Sequence, residues 1–372
     1  MLTVKIATIK EFEKSKEVWN KLASRMPLPS IFCTWEWVYT WWEHFGANYE
    51  PLILFVYKNS ELTGILPLAS RRTLFDREEW AIGRMLTYCG SRELYPDHLD
   101  VITAQEHAEP CIDALGSFLS SSYRNWDVCN LGLSVKESNL ISWFSKRNGS
   151  KIYGLDSTAR QASFAYFIPI TGRFEDYINT FDAKQRYNLR SRKNKLEKLG
   201  FAYGPCDPLK EPQGFDTLFE IHALRSRKKN IQSTFSSVDI REFHKSLAKR
   251  INNSGWLSLR FLKSEKDVIA ASYNFNYQGR VFSYQKGMDP KWEQYGPGKA
   301  IVYEAIKEAF LTGSKEYNFL RGNEEYKSGW ARECRPLFTV TMYNSTVGGK
   351  TTSGLLKLRN FLKKVITHGP IF

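Results

Sequence analysis

Cysteine and histidine are scarce in this sequence, six of each. Cys33, Cys89, Cys111, Cys129, Cys206 and Cys334 form no C-x-x-C pair, and no two histidines stand at helical metal-binding spacing. Neither a disulfide framework nor a metal site is expected, and a reducing cytoplasm is the expected location. Apolar runs of about 18 residues, long enough to span a bilayer, are missing. The leading segment MLTVKIATIKEFEKSKE lacks the apolar core of a secretory signal. Low-complexity stretches are absent, so disorder is expected only in loops. Acid is in short supply: 39 Asp and Glu face 53 Lys and Arg, a net charge of +14. Such an excess favours anionic partners: phosphate-bearing co-substrates, nucleic acid or an acidic membrane face.

What is present is a chain of 372 residues, 42% hydrophobic and rich in aromatics, with 11 Trp. That length and composition fit two globular domains. A repeat organises them. Residues 52–68, LILFVYKNSELTGILPL, and 257–273, LSLRFLKSEKDVIAASY, each read as strand, polar turn opening at a lysine (Lys58, Lys263), and second apolar strand. Helical patterns at 12–24 and 35–45 precede the first hairpin, and others at 214–228 and 238–252 precede the second. A strand, a helix and a strand follow each: 97–103, 107–121 and 126–133, then 280–287, 299–312 and 316–321. One α/β (α+β) unit is therefore expected twice, each a mixed sheet flanked by helices. The polar stretch RNGSKIYGLDSTARQ and a strand at Ala162–Ile170 mark the junction. The expected domains are 1–160, 161–350 and a basic amphipathic C-terminal helix at 351–372.

The most informative segment follows the strand RVFSYQKGM. Tyr295-Gly296-Pro297-Gly298-Lys299-Ala300 opens a helix whose Ile301, Val302, Ala305, Ile306, Ala309 and Phe310 keep helical period. Two glycines let a ligand approach backbone amides at the positive end of a helix dipole, and Lys299 adds a cation where a helix start would prefer Glu. This makes an anion site, although Gly-Pro-Gly is also good turn chemistry. It matches neither the Walker nor the dinucleotide glycine spacing. The strand Glu316–Arg321 then ends in Arg321-Gly322, followed closely by Glu324, Glu325, Tyr326, Lys327 and Trp330. Functional groups gather at such strand ends in α/β folds.

Strand, Y-G-P-G, helix, Y-N-F-L-R-G and E-Y-K-x-x-W, in that order, resemble the GNAT acyltransferase superfamily. More narrowly they resemble the two-lobed acetyltransferase group associated with cellulose and exopolysaccharide biosynthesis, related to the Fem-type peptidyltransferases. That group carries S-P-G before its helix and D-F-x-R-G-x-x-x-Y-K-x-x-W after it; here Tyr295-Gly296 precede Pro297-Gly298, and Asn318 stands for Asp. Thr34-Trp35-Glu36-Trp37, Glu61–Leu68 and the basic run Lys184–Gly200 extend the likeness over about 30–345. The resemblance implies two GNAT-like lobes and an acyl-CoA co-substrate, most simply acetyl-CoA. Its pyrophosphate would lie on Tyr295, Gly296, Pro297, Gly298, Lys299 and Ala300, and its pantetheine arm beside Phe282–Lys286, including Ser283 and Gln285. It also implies direct attack of an amine or hydroxyl on the thioester, with no metal. The acceptor would be a sugar or cell-envelope polysaccharide precursor.

Several residues can carry that chemistry. Glu325 or Glu324 is placed to act as base, and Arg321 and Lys327 to bind an anionic substrate or the oxyanion. Asp97 in YPDHLDV, read as a strand whose alternation separates it from His98 and Asp100, is a second candidate for substrate contact; capping a turn is the alternative. Trp37, Trp41 and Phe45 fall on one helix face and belong to the core, whereas Trp35 and Trp42 lie off it and can stack on a sugar. Tyr326 joins the substrate candidates. Between 184 and 198, seven Lys or Arg face one Glu. Arg186, Arg190 and Lys193 share a side, which is either a solvated face or a phosphate-binding one. Transfer RNA is a partner only in the alternative reading, a Fem-like aminoacyl-tRNA-dependent transferase; DNA is not expected. A non-catalytic GNAT-like binding module is the third reading. The C-terminal LLKLRNFLKKVITHGPIF sets Leu355, Leu358, Leu362 and Val365 against Lys357, Arg359, Lys363 and Lys364. It is expected to pack on the second lobe, with peripheral contact with the inner face of a membrane as the alternative.

Overall fold

The computed structural model describes residues 2–76, 81–147 and 151–367, by backbone alone at 76 and 360–367. In chain order the strands are β1 Leu2–Ile6, β2 Glu50–Lys58, β3 Glu61–Asp76, β4 Ala81–Tyr88, β5 Ile102–Thr103, β6 Val128–Val135, β7 Lys151–Ile152, β8 Leu155–Pro169, β9 Ala202–Pro205, β10 Leu257–Lys263, β11 Val268–Tyr277, β12 Arg280–Met288, β13 Glu316–Arg321 and β14 Glu333–Tyr343. The α-helices are α1 Ile9–Lys14, α2 Lys16–Ser24, α3 Trp35–Phe45, α4 Ala108–Ser117, α5 Asn139–Ser145, α6 Phe174–Asn179, α7 Ala183–Lys198, α8 Gly214–Lys228, α9 Val238–Ile251, α10 Pro297–Leu311, α11 Glu325–Ser328 and α12 Val347–Thr367. Two compact units result, one of Met1–Ser163 with Pro336–Phe372, the other of Phe164–Arg335. The chain thus divides at 163/164 and 335/336, where the sequence suggested 160/161 and 350/351.

In the first unit the sheet runs β1-β2-β3-β4-β6-β14. The hairpin expected at 52–68 is β2–β3, paired antiparallel from Glu50↔Ser70 to Lys58↔Glu61. Among the described pairings of this unit β4 and β6 are the parallel one, through Met85↔Val128, Leu86↔Cys129 and Thr87↔Asn130. Here the sequence reading needs correction. Of the strand expected at 97–103 only Ile102–Thr103 is extended into the sheet, against β3, and the partner of β6 is β4, a strand the sequence reading does not contain. His98 takes φ +57, which breaks any strand there. Trp19, Trp37 and Trp41 fill the core with less than 2% exposure. The last helix, α12, also belongs here: Leu356 packs on Ala81, Met85, Val128 and Tyr343, and Thr352 Oγ1 accepts from the Ile82 amide at 3.1 Å. Packing on the second lobe is therefore corrected to packing on β4 and β6 of the first. Lys357 pairs with Asp156 at 2.9 Å. Leu358 is exposed; the side chains of Leu362, Lys363, Lys364 and Val365 lie outside the described residues.

The second unit repeats the plan as β8-β13-β12-β11-β10-β9. The hairpin β10–β11 matches β2–β3, and again only one pair is parallel: β12 and β13, through Arg280↔Glu316, Val281↔Tyr317 and Phe282↔Asn318. Both parallel ladders thus end on an asparagine, Asn130 in one unit and Asn318 in the other. Helix α10 forms where periodicity placed it. Its Ile301, Val302, Ala305, Ile306 and Ala309 are buried in a core with Val281, Tyr317 and Phe319. Each of the larger aliphatics contributes ~1.5–3 kcal/mol by leaving water. Helix α7 begins in a capping box between Asp182 and Gln185, buries only Leu196, and is otherwise mostly polar, with Tyr187 exposed and Leu189 half-buried.

Candidate active site

The second unit contains a gap in its sheet. Beyond Phe282↔Asn318 the parallel strands cease to pair, while β12 continues against β11 as far as Met288. A bulge opposite Tyr273 and Asn274 accompanies the parting: Gln285 and Ser283 are their partners, and Tyr284 is extra. Bulges bend a strand and raise its twist, which helps β12 leave its neighbour. In the first unit the matching gap is closed by the chain itself, since Leu99 N–H donates to the Leu133 carbonyl at 3.3 Å. In the second, side chains of Lys286, Phe319 and Tyr326 border it.

At the far end of β12 the 3₁₀ turn Pro290–Tyr295 leads into Gly296, which takes the left-handed conformation at φ +66 and N-caps α10. Glycine meets that requirement without strain. Lys299 and Ala300 both donate their amides to the Gly296 carbonyl, at 3.0 and 3.1 Å. Pro297 has no amide to give, so Gly298 N–H is the donor this first turn has for a ligand. The cradle is narrower than the sequence suggested, and its charge comes partly from elsewhere. Arg192 of α7 lies across the loop: a Cβ on Gly296 would stand 2.6 Å from its Cδ.

Beside this corner is a cavity of about 440 Å³. One wall is α7 and the turn before it, with Phe181, Gln185, Asn188, Leu189 and Arg192; the other is Lys299 with Glu325, Tyr326, Gly329 and Trp330. An aromatic and aliphatic floor with cations at one rim suits a ligand with an apolar body and an anionic end. Three residues singled out in the sequence, Lys299, Glu325 and Tyr326, meet here. Arg192 enters the sequence reading only within the basic run 184–200, and Lys286 only as the end of the strand beside the pantetheine arm; neither has a role of its own there.

The lysine Lys327 is buried, and its ammonium donates to the carbonyls of Leu320 (3.4 Å) and Arg321 and pairs with Glu324 Oε2 at 3.0 Å. Such an ammonium has three protons to give, and these acceptors engage them. It braces the turn in which Leu320 takes φ +58 and Gly322 φ +127. A side chain at Gly322 would strike Glu324 Oε2 and crowd Lys327 Nζ. Burial works to raise the Glu324 carboxyl, but the charge and hydrogen bond of Lys327 outweigh it, leaving the group below its ordinary value. Arg321 sits half-buried at the strand end.

Lys286 lies on β12 beyond the parting, its Nζ 3.8 Å from the Tyr326 ring centre and 5.6 Å from that of Phe319. Burial drives its ammonium well below the usual lysine range; Lys327, Arg225 and Lys229 push the same way, and Glu324 opposes them.

Other candidates are placed differently. Ser283 accepts a hydrogen bond from Tyr317 Oη at 3.2 Å, while Gln285 turns to α8, where its Oε1 is 3.2 Å from His222 Nε2. Tyr295 packs against Trp292. Arg186 donates to the carbonyl of Phe181 at 2.5 Å, closing the turn before α7, and Arg190 is exposed. Two expectations are corrected in the first unit. Trp35 is not an open platform: its ring is buried, stacked on Tyr39 at 4.3 Å, and its Nε1 donates to Phe12 O at 2.9 Å. Asp97 is 1% exposed and bonded to His98 Nδ1 at 2.8 Å, enclosed rather than facing a ligand. Among the described residues there is no cluster of three or more metal-ligating side chains and no helix long and apolar enough to cross a membrane.

Residues 183–328, from α7 to α11, match the family model described as an acetyltransferase (GNAT) domain. No curated protein sequence matches the chain. Solved structures share its fold. FemX superposes with a TM-score of 0.61 at 10% identity, over 96% of this chain and 99% of its own. L-PGS from Bacillus licheniformis gives 0.51 at 11% identity, over 86% and 95%. A tandem GNAT protein from the clavulanic acid biosynthesis pathway gives 0.50 at 7% identity, over 93% and 100%. The chain thus carries a GNAT acetyltransferase domain match over 183–328, and as a whole it shares the fold of a tandem GNAT protein.

Proposed function

We propose that this chain is an acyl-CoA-dependent acyltransferase, most simply an acetyltransferase, whose donor binds the second unit. The observation that carries the reading is the parting of β12 and β13 beside a helix that starts at a left-handed glycine under Arg192. The residues fit such a donor. Gly298 N–H, Arg192 and Lys299 offer a pyrophosphate one backbone donor and two cations, and a side chain at Gly296 would fill the space Arg192 takes. The parted strands offer a slot for an extended arm.

The chemistry is direct attack. The lone pair of an acceptor amine or hydroxyl adds to the thioester carbonyl, the C–S bond breaks, and the thiolate departs. The protein's part is to align the two partners, take the acceptor's proton and steady the developing negative charge. Glu325, exposed on the cavity wall, is positioned to take that proton directly or through water. Lys327 holds the strand-end turn, so its contribution to charge stabilisation comes with Arg321 from a fixed frame. In keeping with the group the sequence resembles, the acceptor is a sugar or a cell-envelope polysaccharide precursor.

A second reading is supported by the basic helix α7 along the cavity and by the likeness to FemX: aminoacyl transfer from tRNA to a cell-wall precursor. Calorimetric titration separates the two. Saturable binding of acetyl-CoA, competed by CoA, supports the first. Indifference to CoA with tRNA binding that weakens steeply with salt selects the second.

A further inference from the structure

We infer that Lys286 is itself an acyl acceptor, so that the protein acylates its own strand β12 when donor is present and no other acceptor is. The inference rests on the second-unit cavity being the donor site, and deepens that reading by assigning it a modifiable residue.

The geometry comes first. Lys286 is the lysine on β12 beyond Phe282, where that strand has left β13. Its amine is at the gap, over Phe319 at 5.6 Å on one strand's continuation and over Tyr326 at 3.8 Å on the cavity wall. An extended thioester arm lying in the parted strands passes this nitrogen. The surroundings come second. Lysines withdrawn from water usually face a carboxylate; half-buried Lys286 faces aromatic rings instead. The charged groups that act on it are Lys327 and Glu324 beyond β13, and Arg225 and Lys229 at the end of α8. Three are cations, and the one carboxylate is already bonded to Lys327 at 3.0 Å. A ring face returns ~0.5–2 kcal/mol to an ammonium, which is small against burial combined with three like charges. The neutral amine is therefore favoured, and a neutral amine is the nucleophilic form.

The step balances without a further reagent. The Nζ lone pair adds to the thioester carbonyl carbon, a C–N bond forms and the C–S bond breaks. The thiolate of CoA leaves and takes up the proton lost from nitrogen, giving an amide and free thiol. The amide carries no charge, so, like the neutral amine it replaces, it meets no repulsion from Lys327, Arg225 and Lys229.

The test is to incubate the full chain with isotopically labelled acetyl-CoA and map acetyl-lysines by mass spectrometry over time and pH. Calorimetry of acetyl-CoA binding is run on the same sample. Lys286 is expected to gain the label about tenfold faster than exposed Lys291, in line with a nucleophile activated by a lowered pKa. Its rate is expected to level off below the usual lysine range, in keeping with an ammonium destabilised by its surroundings, and excess CoA is expected to suppress it. Lys286→Arg removes this label and leaves that on Lys291. Saturable acetyl-CoA binding with Lys286 unlabelled, or labelled no faster than Lys291, overturns the inference and leaves the donor reading standing. Absence of acetyl-CoA binding overturns the donor reading, and the inference with it.

Discussion

Arg192 lies so close over Gly296 that a methyl group on the glycine would stand 2.6 Å from its Cδ. A cation held on a helix start is what an anionic ligand needs, and it comes from α7, far away in sequence. Arg192→Ala is expected to weaken CoA binding about tenfold at low salt, the scale of one charge-assisted contact to phosphate. The loss shrinks as ionic strength rises. Arg190→Ala, on the exposed side of α7, is expected to stay within about twofold. Calorimetric titrations at two salt concentrations check both.

Tyr326 serves the cavity through its ring. Tyr326→Ala is expected to weaken donor binding about tenfold, the scale of a buried aromatic contact. Tyr326→Phe keeps the face and is expected to stay within about twofold. A larger loss in the Phe variant would mean that the hydroxyl makes the contact.

Gly322 is expected to be intolerant of any side chain. At φ +127 a Cβ would lie 2.0 Å from Glu324 Oε2. Gly322→Ala should cost about 2 kcal/mol or more, from strain and from disturbing the Lys327 brace. Urea unfolding measures it; an unchanged midpoint would show that the turn relaxes freely.

Acid should destabilise the second unit through its buried histidines. Burial, aided by the charge of Arg225 and opposed by Gln285, lowers His222 to about 4, and burial lowers His244 to about 3. In the unfolded chain both titrate near 6.5. Between those values the unfolded state binds more protons, so stability rises with pH through the window and is lost as pH falls from about 6.5 toward 4. His222 contributes at most ~3 kcal/mol to that loss. His222→Gln should flatten the dependence of Tm on pH over this range.

The helices and hairpins that sequence makes plain are those with strong periodicity or sharp punctuation. Helix α10 is visible because five apolar residues repeat every three or four positions, and β10–β11 because a polar turn splits two apolar runs. The strand β4 escaped notice because Ala81, Gly83 and Arg84 dilute its pattern, and its pairing with β6 is set by tertiary structure. Trp35 misled for a different reason. It lies off the stripe shared by Trp37 and Trp41, yet α1 covers that second face, through the Phe12 carbonyl. Trp35→Ala is accordingly expected to cost about 3–5 kcal/mol of stability while leaving CoA affinity unchanged in the folded protein. At the site, glycines and Lys299 are legible locally. Arg192 and Lys286 are not, because their importance comes from facing α10 and Tyr326 across the fold.

The first unit is split in sequence, with the whole second unit between its β8 portion and β14. During synthesis β6 must therefore wait, edge bare, until the inserted unit and then residues 336–343 have emerged. An unpaired edge is a template for wrong partners. A chain stopped at 163 would keep that edge and lose α12 as well, so the N-terminal fragment is the piece of this protein that should aggregate.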